Sequence, residues 1–393
     1  MKQERLFRGL FLVNFAITLG FGITDAFFST YLFSLGGRGM LLALPLLLYS
    51  LSKIIFSPLM GACSDRFGAK TMVMLSLTLY LLVSLSYFFS SSLVLITVLR
   101  LVQGLGCAMF KPVMLSLVGA ASRNDGRAGS MGTFDVSFYG ALGLGPVLGG
   151  VVKDAWGFGG IFATLVLLCL FALGVAQQCI RGSEGAITPS DAGRCRAPLS
   201  ELLTAARYGV MRGLLVFIFG RGCGISLLGA FLPIMLSTKL GLNGTQTGLV
   251  LASMTLVITC LLRPVGRLSD RVCRESLVVI GGTTVSLLYF LIPVAQGFCQ
   301  VLVLGGGIGL FSVLSLPAST ALLLEQGERY GTGLAVGVFN AALNLGLVAG
   351  PLLGAWFHYN FGLTSVFYAA GALGLAAVGL FSASMVPAPS PLT

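Results

Sequence analysis

Charged side chains are scarce in this chain: Asp, Glu, Lys and Arg together account for 9% of its 393 residues, whereas apolar residues account for 56%. A soluble domain of this length needs far more charge to keep its surface hydrated. The composition therefore excludes an ordinary soluble globular protein and indicates a protein embedded in a lipid bilayer.

Histidine is almost absent, with His358 as its one representative. The sequence also lacks the H-E-x-x-H and G-x-S-x-G patterns and any cluster of His and Cys residues. Metal-dependent catalysis and triad hydrolysis are thereby disfavoured, so we expect no enzyme activity, no cofactor and no metal site. The nine cysteines fall in predicted helices or cytoplasmic segments, and no disulfide is expected.

The apolar residues occur in runs of about twenty, the length of a helix that crosses a bilayer. These runs predict an all-α membrane protein with twelve transmembrane helices, at 9–33, 40–60, 72–90, 94–117, 130–152, 160–180, 213–236, 246–265, 277–296, 300–323, 333–356 and 363–385.

The net charge of +11 reflects a biased placement of Lys and Arg, which concentrate in the N-terminal tail and in every second loop after it. Positive charge is retained on the cytoplasmic side of membranes, so both termini are predicted to be cytoplasmic. The excess of Lys and Arg over Asp and Glu thus reflects the membrane topology and implies no nucleic-acid partner. We expect a monomer in the inner (plasma) membrane of a bacterium.

Two six-residue segments, 205 positions apart, repeat one pattern: Gly61–Arg66 and Gly266–Arg271. An ungapped repeat predicts two copies of one structural unit, and two related halves of a membrane protein place a binding site near the bilayer midplane. The predicted parts are an N-terminal six-helix bundle at 1–181, a cytoplasmic linker at 182–212 with a short surface helix near Leu199–Arg207, a C-terminal six-helix bundle at 213–386, and a tail at 387–393.

Three motifs occur in order along the chain. The first lies between predicted helices 2 and 3 and is echoed between helices 8 and 9: Gly61, Asp65, Arg66, Gly68 and Lys70, then Gly266, Asp270 and Arg271. The second is R-x-x-Q-G on helix 4: Arg100, Gln103 and Gly104. The third is a glycine-proline motif on helix 5 that recurs on helix 11: Gly145, Pro146 and Gly149, then Gly350, Pro351 and Gly354.

With these motifs the chain resembles the major facilitator superfamily over its full length, in the twelve-helix branch of drug/proton-antiporter-like permeases. The resemblance implies two pseudo-symmetric six-helix bundles that alternate access, a gate built from the loop motif, and a glycine motif associated with exporters. The simpler interpretations stay open, in which Asp65 caps helix 3 and the glycines only pack helices. The second loop copy departs from the pattern at Val272-Cys273, and Ala69 replaces a usual basic residue.

Six charged residues lie inside predicted spans: Asp25, Lys53, Arg100, Lys111, Asp135 and Arg221. Each costs about 2.5–3.5 kcal/mol at a helix centre, so these side chains must face a cavity or one another. The repeat reproduces none of them, which favours a role in substrate binding or proton coupling. Four cations against two carboxylates favour an anionic or polarised substrate. A structural Lys111–Asp135 ion pair is the alternative for those two residues.

Proton coupling requires a group that releases and regains a proton, and Asp25 is the best candidate, followed by Asp135. The alternative for Asp25 is a structural pair with Lys53 or Arg100. Asn14, Asn340 and Asn344 offer hydrogen bonds to a substrate or, equally, between helices. His358 is predicted in an outward loop, too far from the midplane for coupling.

The sequence therefore predicts a secondary active transporter that works by alternating access, with protons and a small organic molecule as its partners. We favour proton-coupled export of an anionic or amphipathic molecule. Uptake or facilitated diffusion of an organic anion, a non-transporting sensor on a transporter fold, and a membrane-embedded enzyme are the alternatives.

Overall fold

The computed structural model describes residues 2–90, 92–121, 127–180, 209–269, 271–330 and 332–385, and at some positions, among them Asp65, Lys111 and Asp135, the backbone alone. Within these ranges the chain is helical and contains no strand. The helices are α1 (Lys2–Ser34), α2 (Met40–Phe67), α3 (Ala69–Phe89), α4 (Leu93–Ala121), α5 and α6 (together Arg127–Ile180), α7 (Gly209–Thr238), α8 (Gly244–Ser269), α9 (Arg274–Leu291), α10 (Phe298–Tyr330), α11 (Thr332–Phe361) and α12 (Leu363–Met385). The predicted helix near Leu199–Arg207 and the predicted tail lie outside the described residues.

Glycines with positive φ separate three pairs of consecutive helices. Gly157 has φ 66° and ψ −161°, which divides the Arg127–Ile180 stretch into α5 before it and α6 after it. Gly68 and Gly362, both with φ 83°, separate α2 from α3 and α11 from α12. This backbone region is open to glycine because it has no Cβ. The prediction of twelve helices is confirmed for the described residues.

Eleven helical stretches in the described ranges are long and apolar enough to cross a membrane, and one of them, Ser137–Cys179, contains both α5 and α6. Their exposed surface is largely apolar, as expected for helices that face lipid: Leu82, Phe89, Leu167, Val303 and Leu380 are all more than half exposed. The all-α membrane fold is thus confirmed.

The described chain packs as two compact units. Unit 1 contains the residues up to 180 together with Pro233–Leu256, and unit 2 contains residues 209–232 and those from Val257 onward. The end of α7 and the first half of α8 therefore group with unit 1 by packing, whereas the sequence assigned them to the C-terminal bundle. The predicted domain boundaries stay a prediction.

Each unit has its own apolar core. In unit 1, α1 packs against the α5–α6 stretch and α2 against α4, around buried residues such as Leu10, Leu77 and Leu117. In unit 2, α9 packs against α10 and α12, around Leu214 and Val278. The helices therefore have apolar residues on two sides: one side packs into the core of the unit, and the other is exposed.

Close backbone contacts explain the glycine motif in both units. A Cβ on Gly145 would lie 2.6 Å from Gly22 Cα, so α5 and α1 touch through their backbones. At the equivalent position of the repeat, a Cβ on Gly350 would lie 2.8 Å from the carbonyl oxygen of Cys223, so α11 and α7 touch in the same way. Small residues at helix interfaces permit this approach in membranes. The duplicated motif has a packing role in each unit.

Candidate functional site

An ion pair joins α1 to α4 inside unit 1. Arg100 Nη1 lies 2.8 Å from Asp25 Oδ1. The two partners differ sharply in exposure, since the Arg100 side chain is 1% exposed and the Asp25 side chain 43%. The pair therefore joins a guanidinium enclosed by protein to a carboxylate that keeps access to its surroundings.

The enclosure of Arg100 comes from aromatic and amide side chains. The guanidinium carbon lies 3.4 Å from the centre of the Phe28 ring, a cation–π contact. Arg100 Nη1 also donates to Gln103 Oε1 at 3.1 Å, and the Tyr87 hydroxyl donates to the same oxygen at 2.9 Å. Residues three apart share one helix face, which explains the R-x-x-Q spacing. Gly104 of the same motif lets α4 pack closely against α2, because a Cβ added at this position would lie 2.8 Å from Ser52 Cβ.

Not every donor of this cluster has a partner. Arg100 Nε and Nη2 and Gln103 Nε2 are buried and make no hydrogen bond to the described part of the chain. Asp25 and the Phe28 ring supply the favourable electrostatics that offset this burial. Removing the Asp25 charge therefore leaves the Arg100 cation poorly compensated.

Lys53 lies beside this cluster. Its Nζ is 5.6 Å from the centre of the Tyr49 ring, and the Arg100 guanidinium carbon is 5.6 Å from the same ring centre. The sequence left open whether Asp25 pairs with Lys53 or with Arg100, and the structure has the contact with Arg100.

Arg221 occupies a different environment, in unit 2. It is partly buried, and its Nη1 donates to Ser315 Oγ at 2.8 Å and approaches the Ser312 carbonyl oxygen at 3.4 Å. It lines a cavity with about 440 Å³ of empty volume, part of it open to the surface, enclosed by α7, α9, α10 and α12. The structure therefore places Arg221 against the helices of its own unit.

The asparagines contact helices. Asn14 Nδ2 donates to Ser137 Oγ at 2.7 Å in a buried bond between α1 and α5, as in the helix-packing alternative. Asn340 is exposed, and its backbone carbonyl oxygen accepts a 2.8 Å hydrogen bond from Asn344 Nδ2 within α11.

The remaining predicted charges are described in part. Lys111 and Asp135 lie on α4 and α5, and the proposed ion pair between their side chains lies outside the described atoms. In the loop motif, Gly61, Asp65 and Arg66 fall in the last turns of α2, Lys70 in the first turn of α3, and Asp270 outside the described residues. Gly266 lies in α8, and the Arg271 N–H donates to the Leu268 carbonyl oxygen at 2.9 Å. The gate stays a prediction.

Comparison with known sequences decides the family. The sequence profile of the Major Facilitator Superfamily matches residues 10–208 and 214–393. The chain belongs to this superfamily.

Relatives and solved structures of this facilitator are similar at low identity. It is 22% identical to an uncharacterized MFS-type transporter of Methanocaldococcus jannaschii over 89% of this chain and 90% of the relative. It is 24% identical to the multi-drug resistance efflux pump PmrA of Streptococcus pneumoniae over 81% and 80% of the two chains. A mutant of the nucleoside transporter NupG superposes with a TM-score of 0.82 at 12% identity over 97% of this chain and 100% of NupG. The chain is therefore a membrane transporter of this superfamily, with efflux pumps among its relatives.

Sequence reasoning missed Asp154 of this transporter. Its carboxylate accepts hydrogen bonds from the N–H groups of Gly244 and Thr245, at 2.6 and 2.7 Å, and from the Thr245 hydroxyl at 2.6 Å. All three donors lie in the first turn of α8, in the part grouped with unit 1. The sequence offered one signal, Gly150, which lies one turn before Asp154 on the same face of α5. A Cβ added at Gly150 would lie 2.8 Å from Thr245 Cα, so α5 approaches the start of α8 closely there.

The predicted position of His358 is wrong. The residue lies in the last turn of α11, because that helix continues to Phe361 before Gly362 ends it. The His358 ring is 6.0 Å from the ring of Phe231 on α7. Tyr87 and Phe28 were also missed, although Phe28 lies one helical turn after Asp25 and so shares its face of α1.

Proposed function

We propose that this transporter exports a small amphipathic organic molecule in exchange for protons, with Asp25 as the residue that takes up and releases the proton. The observation that supports this proposal is the Asp25–Arg100 pair, in which a carboxylate that is 43% exposed meets a guanidinium that is 1% exposed. The proposed transporter works by alternating access, as a monomer in a bacterial inner (plasma) membrane, with both termini in the cytoplasm.

The pair gives protonation a conformational consequence. When Asp25 carries a proton, Arg100 loses its counter-charge while remaining surrounded by Phe28, Tyr87 and Gln103. A buried cation without its partner is unfavourable, so the protonated and deprotonated states favour different arrangements around α1 and α4. In the proposed mechanism the transporter alternates between two such arrangements and moves a proton with each cycle.

Competition for Asp25 links this proton to a substrate. When the proton is absent, the negative charge of Asp25 attracts a cationic or polarised group that approaches its exposed side. The same negative charge offsets the repulsion of that group by Arg100. Substrate and proton then exclude each other, which produces exchange. The direction of export is supported by the efflux pump among the relatives and by the resemblance of the α5 glycine motif to that of exporters.

The test uses purified protein in proteoliposomes that contain a pH-sensitive dye and are energised by a pH gradient. Ethidium, uridine and benzoate serve as cationic, neutral and anionic probes. We expect ethidium to dissipate the gradient with the parent protein and not with Asp25→Asn. Glu4→Gln is the matched control, because Glu4 is an exposed carboxylate of the same helix that pairs with Arg8. A pH response in Asp25→Asn that equals the parent response contradicts the assignment of Asp25.

Transport of an organic anion without a proton is the second candidate, and it is favoured by the surplus of cations, including Arg221 and Lys53. In the same vesicles, benzoate accumulation above that of protein-free vesicles, without any additional pH change, supports this alternative and contradicts proton exchange. Binding of a probe without translocation supports the non-transporting sensor.

A further inference from the structure

The cavity next to Arg221 is enclosed by four helices of unit 2 and contains both polar and apolar side chains. Arg221 and Gly224 contribute from α7, Tyr289 from α9, Ser312 and Ser315 from α10, and Ala377 from α12. A concave, mostly apolar space with a few converging polar groups is the usual form of a small-molecule site. The charge of Arg221 is the feature that selects the ligand.

Contacts with α10 hold the guanidinium of Arg221 in place. Ser315 Oγ accepts from Arg221 Nη1 at 2.8 Å and itself donates to the Ser312 carbonyl oxygen at 3.0 Å. A guanidinium has five N–H donors in a planar fork and can contact several acceptors at once. Ser315 is therefore a positioning residue for Arg221.

Tyr289 supplies a second polar group on the same wall. Its hydroxyl lies 3.2 Å from the position that a Cβ on Gly224 would occupy. Gly224 is three residues after Arg221, on the same face of α7, so the phenol faces α7 within one helical turn of the Arg221 position. Gly224 permits this close approach because it lacks a side chain. Arginine and tyrosine together match the two oxygens of a carboxylate.

The rest of the wall limits the size and polarity of a ligand. Phe217, Ile225, Val285, Ala377 and Val378 line the cavity with apolar carbon. Such a wall excludes a fully hydrated anion, because contact with apolar carbon would replace its hydration without compensation. It accepts an alkyl group. The empty volume of about 440 Å³ includes space open to the surface, so the enclosed part is smaller and suits a molecule with few carbon atoms.

We propose that this cavity is a binding site for a short-chain carboxylate, with the carboxylate at Arg221 and Tyr289 and the alkyl chain against Phe217 and Val285. The proposal does not depend on proton exchange at Asp25. It assigns a chemical class to a site within unit 2 that is built from different residues than the Asp25–Arg100 pair.

Thermal unfolding of the purified protein in detergent tests this site directly. Sodium acetate, propionate, butyrate and octanoate are compared with sodium chloride at one ionic strength. We expect propionate and butyrate to raise the Tm by about 2 °C or more relative to chloride, because a ligand that binds the native state stabilises it. Octanoate should have a smaller effect, since its chain exceeds the enclosed part of the cavity. Equal shifts with chloride and with all four carboxylates overturn the proposal.

Three variants separate the site from general salt effects. Arg221→Gln should lose the carboxylate-dependent shift, whereas Arg212→Gln should keep it, because Arg212 is exposed on the same helix and does not line the cavity. If Arg221→Gln fails to fold, Tyr289→Phe is the second variant, since it removes one hydroxyl and keeps the ring. We expect Tyr289→Phe to weaken butyrate binding about tenfold. Unchanged binding in Tyr289→Phe and a retained shift in Arg221→Gln each contradict the proposal.

Asp25→Asn distinguishes this site from the proposed proton exchange. The variant should keep the full butyrate shift while it loses the pH response in proteoliposomes. Loss of the butyrate shift in Asp25→Asn would contradict a separate carboxylate site, whatever the outcome for protons.

Discussion

Arg100 in unit 1 and Arg221 in unit 2 are both arginines inside membrane-spanning helices, and their surroundings differ. Arg100 is 1% exposed, pairs with a carboxylate at 2.8 Å and stacks on Phe28. Arg221 is partly buried, donates to a serine hydroxyl and lines a cavity. Arg100 is enclosed by protein, whereas Arg221 borders a cavity. The same residue type thus suits charge compensation in one unit and ligand binding in the other.

The largest expected difference between the two arginines is in stability. Arg100→Ala removes a buried side chain and leaves Asp25 without its partner, so we expect a loss of about 3–5 kcal/mol in the free energy of unfolding. Arg221→Ala should lose about 1 kcal/mol, because that side chain already borders a cavity. Chemical unfolding of both variants in detergent measures the difference. Equal losses would show that the two arginines share one structural role.

A double-mutant cycle sharpens the comparison by isolating the contact of each arginine. For Asp25→Asn combined with Arg100→Gln, we expect an interaction energy of about 2 kcal/mol, since both partners carry charge and one is buried. For Arg221→Gln combined with Ser315→Ala, about 0.5–1 kcal/mol is expected for a hydrogen bond to a neutral hydroxyl. The four unfolding free energies of each cycle provide the measurement. An interaction energy between Arg221 and Ser315 that exceeds the one between Asp25 and Arg100 would contradict the assignment of Ser315 as a positioning residue only.

The glycine motif is where the two units should behave alike. Gly145→Ala and Gly350→Ala each place a Cβ within 2.8 Å of backbone atoms of a neighbouring helix. We expect each to lose about 1–2 kcal/mol of unfolding free energy after the helix-propensity gain of alanine. Gly140→Ala is the control, because its Cβ would meet no atom within 4 Å. Thermal or chemical unfolding distinguishes the three, and stability gains at Gly145 or Gly350 would contradict the close approach.

The sequence predicted the parts of this transporter that depend on periodicity and repetition. Apolar runs of membrane length predicted the helices, and the 205-residue offset predicted that Gly145 and Gly350 occupy equivalent positions. Both follow from local constraints, because a membrane helix must satisfy its own backbone hydrogen bonds and a backbone contact excludes a Cβ.

The partners of the charges could not be predicted in this way. Asp25 had two possible cationic partners, and the choice depends on how α1, α2 and α4 are rotated about their axes. Arg221 was expected to face a cavity or another charge, and its contacts with Ser312 and Ser315 depend on the packing of α7 against α10. Such choices are made by tertiary contacts that leave no periodic signal in one sequence.

Asp154 is the clearest case, because its role depends on a non-local contact with the first turn of α8. The first N–H groups of a helix have no partners within the helix. In α8, Asn243 Oδ1 accepts from the N–H of Gln246 at 2.8 Å, and Asp154 accepts from those of Gly244 and Thr245. The negative charge also interacts favourably with the helix dipole. Asp154 therefore acts as a second cap, supplied by α5.

This cap gives a small and local expected effect. Asp154→Ala should destabilise the first turn of α8 by about 1 kcal/mol, which corresponds to amide hydrogen exchange about fivefold faster in that turn. Mass spectrometry of the peptide that begins α8 measures it. Tyr359→Ala is the matched control, since residue 359 is the repeat equivalent of Asp154 and its side chain is 79% exposed. Unchanged exchange in Asp154→Ala would mean that Asn243 alone stabilises the turn, and it would contradict the assignment of Asp154 as a second cap.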